Sequence, residues 1–176
     1  EAIILPRKTI FQLISLLEQN DNNIKISNNK SKIKFEMNSG LLISKVIDGR
    51  FPDYSKVVPA DNNKILQIKL NDFKKSVERV ITVSSDHKEG LKMFISKDSL
   101  KLSVNNPNSG EGIENINVKF NSDDMEISFN SRYLIDIASQ IESESIVINL
   151  KDAGSPVLIR DLLDKNSFHV VMPMKI

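Results

Sequence analysis

One pattern recurs three times along this 176-residue chain, and it limits the possible folds more than any single residue does: a strand, a helix, then further strands. Apolar residues at i, i+3, i+4 and i+7 predict a helix over 7–18, with Ile10, Leu13, Ile14 and Leu17 on one stripe. The same spacing predicts helices over 72–83, carried by Phe73, Val77 and Val80, and over 131–141, carried by Leu134, Ile137, Ala138 and Ile141. Pro6 suits a first helical turn, and Asn71 and Asn130 suit N-caps. Between the helices run short alternating segments: 24–26, 32–35, 66–70, 99–104, 125–129, 146–150 and 157–160. Period two with one polar face reads as half-buried antiparallel strands. Clusters at 20–23, 28–29 and 105–112, rich in Asn, Gly and Ser, read as turns.

The copies run over about 2–47, 64–120 and 123–176. Two copies make a domain with helices side by side on one face and antiparallel sheets on the other, an α+β architecture. The chain then divides into a half-domain over 1–47, a connector over 48–63 holding Pro52 and Pro59, and a full domain over 64–176. It starts on Glu1 in a strand-like run, as expected of a piece of a longer protein. A half-domain on its own exposes its helix stripe, so weak, concentration-dependent association is expected.

Two segments carry more than the repeat. One is Asp48-Gly49-Arg50-Phe51-Pro52-Asp53-Tyr54, followed by Lys56, Val57 and Pro59; the other is the C-terminal Val170-Val171-Met172-Pro173-Met174-Lys175-Ile176. With Leu5-Pro6-Arg7-Lys8, Ser44-Lys45, Asn105-Asn106-Pro107 and Tyr133, they resemble, in order and spacing, the bacterial DNA sliding clamp family, the beta subunit of DNA polymerase III. The resemblance spans the whole chain. It implies the DNA-clamp fold, with 1–47 as the second half of the middle domain and 64–176 as the third. It further implies a processivity subunit that encircles duplex DNA, has no active site or cofactor, and acts in the cytoplasm. Its partners would be DNA polymerase and other clamp-binding proteins through short peptides, the clamp loader, and a second subunit in a homodimer. With neither the first domain nor the rest of the middle one, this chain is expected not to close a ring. The alternative is a peptide-binding scaffold of the same fold with no DNA role.

The resemblance assigns three surfaces. A peptide pocket takes Pro52, Lys56, Val57, Asn130, Tyr133, Gly154, Pro156, Val170, Met172, Pro173 and Met174. Met is unbranched and adaptable, which suits one site for many related peptides. Spacing alone reads Met172 and Met174 equally as one face of a last strand, with Pro173 at a sheet edge. A DNA-facing surface takes Lys8, Lys75, Arg79 and Arg132, each opposite an apolar stripe, where cations meet phosphates without reading bases. Glu78 and Asp136 share those faces and equally fit a solvated surface. A dimer edge takes Thr82, Val83, Glu111 and Glu114, which also read as a helix end and a loop.

Chemistry has little to build on. There is no Cys, and His87 and His169 stand outside any metal-ligand spacing. Gly110-Glu111-Gly112 is too short for a nucleotide fingerprint, and Asp123-Asp124 reads as a solvated strand start. The formal net charge of +1 leaves any nucleic-acid contact to charge placement. No apolar run approaches the ~20 residues of a membrane-spanning helix.

Overall fold

The computed structural model describes residues 3–17, 23–84, 90–164 and 166–175, so His87 and Glu18 lie outside the described residues, as do 20–22 of the expected first turn. The chain forms two compact units, 1–53 and 54–176.

The first unit holds α1 (Arg7–Leu16), β1 (Lys25–Asn28), β2 (Lys32–Met37) and β3 (Gly40–Lys45). The strands pair antiparallel in the order β1-β2-β3. Pro6 is the extended N-cap of α1. Asn29 turns the chain between β1 and β2, its Oδ1 accepting from the amides of Ser31 at 3.0 Å and Lys32 at 2.8 Å. Ile33 and Phe35 are buried, and the Thr9 and Ser44 hydroxyls meet at 2.7 Å. The expected α1 stripe is only partly covered: Leu13 and Leu17 are half-buried, while Ile10 is 40% and Ile14 62% exposed.

The second unit holds β4 (Lys64–Lys69), α2 (Leu70–Val80), β5 (Gly90–Ser96), β6 (Ser99–Asn106) and β7 (Gly110–Asn117). It continues with β8 (Met125–Asn130), α3 (Ser131–Ala138), β9 (Ser145–Leu150), β10 (Val157–Asp161) and β11 (Phe168–Val171). Each half is thus strand, helix and three strands. Asn130 caps α3 as its sequence predicts, Oδ1 accepting from Arg132 N at 3.0 Å. Asn71 does not cap α2. Strand β4 runs straight into the helix, Lys69 occupies the cap without a side-chain bond, and Leu70 N donates to Glu144 O at 2.9 Å. Residues 81–83 form a 3₁₀ turn rather than the last turn of α2. The expected turn over 105–112 narrows to three residues, because β6 reaches Asn106 and β7 begins at Gly110. The last strand stops at Val171, so Met172 and Met174 follow it as a tail.

The halves exchange their first strands. One sheet has the order β11-β10-β9-β4 and the other β7-β6-β5-β8. Strand β4 therefore pairs with the second half and β8 with the first. A single backbone bridge then closes each copy on itself. Gln67 and Lys119 exchange hydrogen bonds of 3.0 and 2.9 Å, Met174 N donates to Ser128 O at 2.7 Å, and in the first unit Ile47 N donates to Ile4 O at 2.9 Å. Ile4, Gln67 and Ser128 each stand three residues ahead of a helix, so Ile47, Lys119 and Met174 are equivalent positions. In the first unit no described strand takes up the outer edge of β1, the place where the second unit seats an exchanged strand. On α2 the positions equivalent to Ile10 and Ile14, Phe73 and Val77, are buried, and that helix packs against α3 and against strands of both sheets.

Between the sheets and the paired helices α2 and α3 lies one apolar core with Leu66, Ile68, Phe73, Val77, Leu91, Leu102, Phe129, Leu134, Ile146 and Ile148 at its centre. Strand β7 comes so near the end of α2 that a Cβ on Gly112 would lie 2.7 Å from Val80 O and 3.2 Å from Val83 Cγ2. The obstacle is backbone, which cannot rotate away. Gly112→Ala is expected to destabilise by about 1–3 kcal/mol through overpacking, read as a lower urea midpoint at unchanged slope.

The end of β10 is pinned by Asp161. Its carboxylate accepts from Glu142 N and Leu163 N, each at 2.8 Å, and is largely buried. These amide bonds, first Leu163 and then Glu142, with the Ser143 hydroxyl, hold its pKa down at about 2. A carboxyl that ionises more readily when folded stabilises fully above its unfolded value near 4 and loses that contribution as pH falls toward the folded one. Asp161→Asn is expected to lower the thermal midpoint at neutral pH and to flatten its fall between about pH 4 and 2, seen in melts across that range.

Candidate functional site

The second unit has a cavity of about 580 Å³ walled by three segments. The connector supplies residues 56–62, the loop between β9 and β10 supplies Lys151, Ser155 and Pro156, and the C-terminus supplies Val170 and Met172. A single 3₁₀ turn, Tyr54–Lys56, launches the connector, and Val57 N donates to Tyr54 O at 3.0 Å. Val57 is 58% and Met172 62% exposed, so two large apolar side chains stand open to solvent on one hollow. That size and apolar lining suit a few side chains of a docked segment.

The loop wall is stiffened by Asp152. Its Oδ1 accepts from Gly154 N at 2.9 Å and Ser155 N at 2.8 Å, and its Oδ2 from the Ser155 hydroxyl at 2.8 Å. The Ser155 hydroxyl and the Gly154 amide hold the Asp152 pKa below the ordinary aspartate value. At the rim, Lys151 Nζ lies 3.7 Å from Asp61 Oδ2. Asn62 ties the connector to the sheet, its Nδ2 donating to Asn149 O and Pro156 O, both at 2.9 Å.

Of the residues assigned to a pocket, the fold brings Lys56, Val57, Pro156, Val170 and Met172 onto this cavity. Gly154 and Met174 line a second hollow of about 480 Å³ with Lys92, Glu126 and Ser128. Tyr133, 56% exposed on α3, Asn130 and Pro173 line neither, and Pro52 belongs to the first unit. Residues 58–62, Lys151 and Ser155 complete the lining; Pro59 is read in the sequence as part of the connector, and none of the seven is assigned to a pocket there, since a connector and a turn carry no periodic signal.

The cations divide differently. Lys8 is exposed on α1, and Lys75 and Arg132 are exposed on α2 and α3, whose buried residues include Phe73, Ser76, Val77 and Leu134. Arg79 is engaged: Nε donates to Glu114 Oε1 at 2.6 Å, and Nη2 to Glu114 Oε2 at 3.2 Å and to Ser76 Oγ at 3.0 Å. That fork raises the pKa of Arg79 and lowers that of Glu114. A residue assigned to DNA thus pairs with one assigned to the dimer edge, because β7 lies beside α2. Thr82 turns its hydroxyl back onto Arg79 O at 2.6 Å, Val83 packs near Gly112, and Glu111 is exposed on the same strand. His169 is half-buried in β11 opposite Ile159, and Asp123 lies 3.9 Å from Lys64. Among the described residues no three His, Cys, Asp or Glu side chains are grouped to hold a metal, and no helix is long and apolar enough to cross a membrane.

Known proteins resemble this chain in both sequence and fold. The family model of the C-terminal domain of the DNA polymerase III beta subunit matches residues 55–175, and that of its central domain matches residues 1–53. The beta sliding clamp of Caulobacter vibrioides is 36% identical over 99% of this chain and 47% of its own length. That of Escherichia coli K12 is 31% identical over 99% of this chain and 48% of its own. A crystal structure of the Bartonella birtlesii DnaN sliding clamp bound to griselimycin superposes with a TM-score of 0.95 at 39% identity, covering 100% of this chain and 48% of that one. The chain spans about half the length of the curated relatives it matches.

Proposed function

Because this chain belongs to the DNA polymerase III beta subunit family, the sliding clamps, we propose that the cavity beside its C-terminal tail docks short peptides of DNA polymerase and other clamp-binding proteins. The observation that carries this is the pair Val57 and Met172, exposed apolar residues on one hollow of a unit that buries most of its others. Such a site takes an apolar anchor from an extended segment and excludes water around it. Val57, Pro156, Val170 and Met172 receive that anchor, and Lys56 offers a cation at the rim.

In the longer protein, docking serves processivity. A closed ring around duplex DNA holds the polymerase at its template without tight binding. On this reading Lys8, Lys75, Arg79 and Arg132 meet the phosphates, the charge of Arg79 being partly offset by Glu114. Thr82, Val83, Glu111 and Glu114 face the second protomer, a clamp loader opens the ring, and the work is done in the cytoplasm. On this reading, with about half the length of its relatives, the chain does not close such a ring by itself.

The experiment is an NMR titration of the labelled chain with griselimycin, the molecule bound to the Bartonella birtlesii clamp in its crystal structure. Shifts confined to Val57, Ser155, Val170 and Met172 are expected. Shifts centred elsewhere, or none at saturating concentration, would overturn the reading.

A further inference from the structure

We propose that Asn62 is the positioning residue of this cavity: its amide locks the connector wall to the loop wall, and the affinity for a docked segment depends on that lock. The inference rests on the peptide-docking reading above. Asn62 Nδ2 lies 2.9 Å from both Asn149 O and Pro156 O. Both acceptors are carbonyls, so only the NH₂ end of the side chain fits there, and both of its protons are used.

The two acceptors bracket the loop wall. Asn149 sits near the end of β9, in register with Ile65 of β4 and Leu158 of β10. Pro156 stands immediately before β10 and itself lines the cavity. Between them Asp152 already braces the loop through three hydrogen bonds. One amide therefore ties both ends of a braced loop to the connector that carries Val57. The ion pair Lys151–Asp61 spans the same walls, but with side chains 50% and 80% exposed it is a weak restraint. Walls fixed in advance spare a ligand the cost of ordering them, so the lock should appear in affinity.

The test compares wild type with Asn62→Asp and Asn62→Ser, measuring griselimycin affinity by calorimetry and folding by thermal melts. Asn62→Asp keeps the shape but turns two donors into a carboxylate facing two carbonyls. It is expected to weaken binding at least about tenfold at pH 7. Protonation restores one donor, and those carbonyls favour the protonated form, so the gap to wild type should narrow toward about pH 5. A structural defect of the same origin would recover in the thermal melts as well, so a midpoint that stays near wild type across this pH range while affinity changes marks positioning. Asn62→Ser deletes both donors without adding a charge and is expected to bind several-fold more weakly, with faster dissociation; it decides the matter should the aspartate variant not fold. Wild-type affinity in a folded variant overturns the role of Asn62 and leaves the docking reading intact. Failure of wild type itself to bind at the cavity overturns both.

Discussion

Phe73→Ala is expected to remove about 3–5 kcal/mol from the stability of the second unit, a large part of what a domain of this size possesses. Phe73 is fully buried on α2, within the cluster that takes Leu66 and Ile68 from one sheet and Leu91 and Phe129 from the other. Its ring fills space reached by both halves of the exchange, so neither half can collapse alone to close the void. The urea midpoint should fall steeply with little change in slope. Ile65 is the control: it is 55% exposed on the opposite face of β4, and Ile65→Ala should cost about 0.5 kcal/mol or less. A loss below about 1 kcal/mol for Phe73→Ala would contradict the packing described.

Met172→Glu is expected to weaken griselimycin binding about a hundredfold, equivalent to about 2.7 kcal/mol, and to leave the thermal midpoint unchanged. Met172 is 62% exposed and follows the last strand, so its side chain contributes little to folding. A carboxylate there puts a charge on the apolar lining, which a docked side chain then has to desolvate. Loss of binding together with a fall in midpoint would mark Met172 as structural. Unchanged binding would move the site away from this cavity.

Periodic features are legible in the sequence and partnership is not. The stripe Phe73/Val77/Val80 predicts a buried helix face and is buried; of Leu134, Ile137, Ala138 and Ile141, Ile137 is only half-buried and Ile141, though buried, lies past the end of α3 at Ala138. Alternation in 146–150 predicts a strand with the right inward residues, whereas in 157–160 the strand is there but Leu158 is buried along with Val157 and Ile159. Alternation assigns faces, however, and says nothing of which strand lies alongside, so the exchange of β4 and β8 leaves no trace in it. Asn71 misleads because an Asn ahead of an apolar stripe looks like a cap, while Leu70 has already entered the helix. Gly112 reads as part of a turn, yet its small size serves the close approach of β7 to Val80. At the site, Val57, Val170 and Met172 are found through family likeness, whereas Asn62 is one Asn in a chain rich in them. What distinguishes it is two carbonyls that only the folded chain brings within reach.

The exchanged strands also bear on how the second unit is made. Each of its sheets is incomplete until residues from both halves of the sequence have arrived: Lys64–Lys69 pairs with Ser145–Leu150, and Gly90–Ile95 with Met125–Asn130. One sheet has all its strands once residues 90–130 are made, but the other joins β4 to β9, β10 and β11 and waits for almost the last residue of the unit. Long-range pairings of this kind close large loops before contacts repay them, so folding should be slow for the unit's size and all-or-none. A ribosome would have to release nearly the whole unit before both sheets could be completed and the core between them closed. Severing the chain at 121–124, between the halves, should yield two fragments that gain structure only in each other's presence.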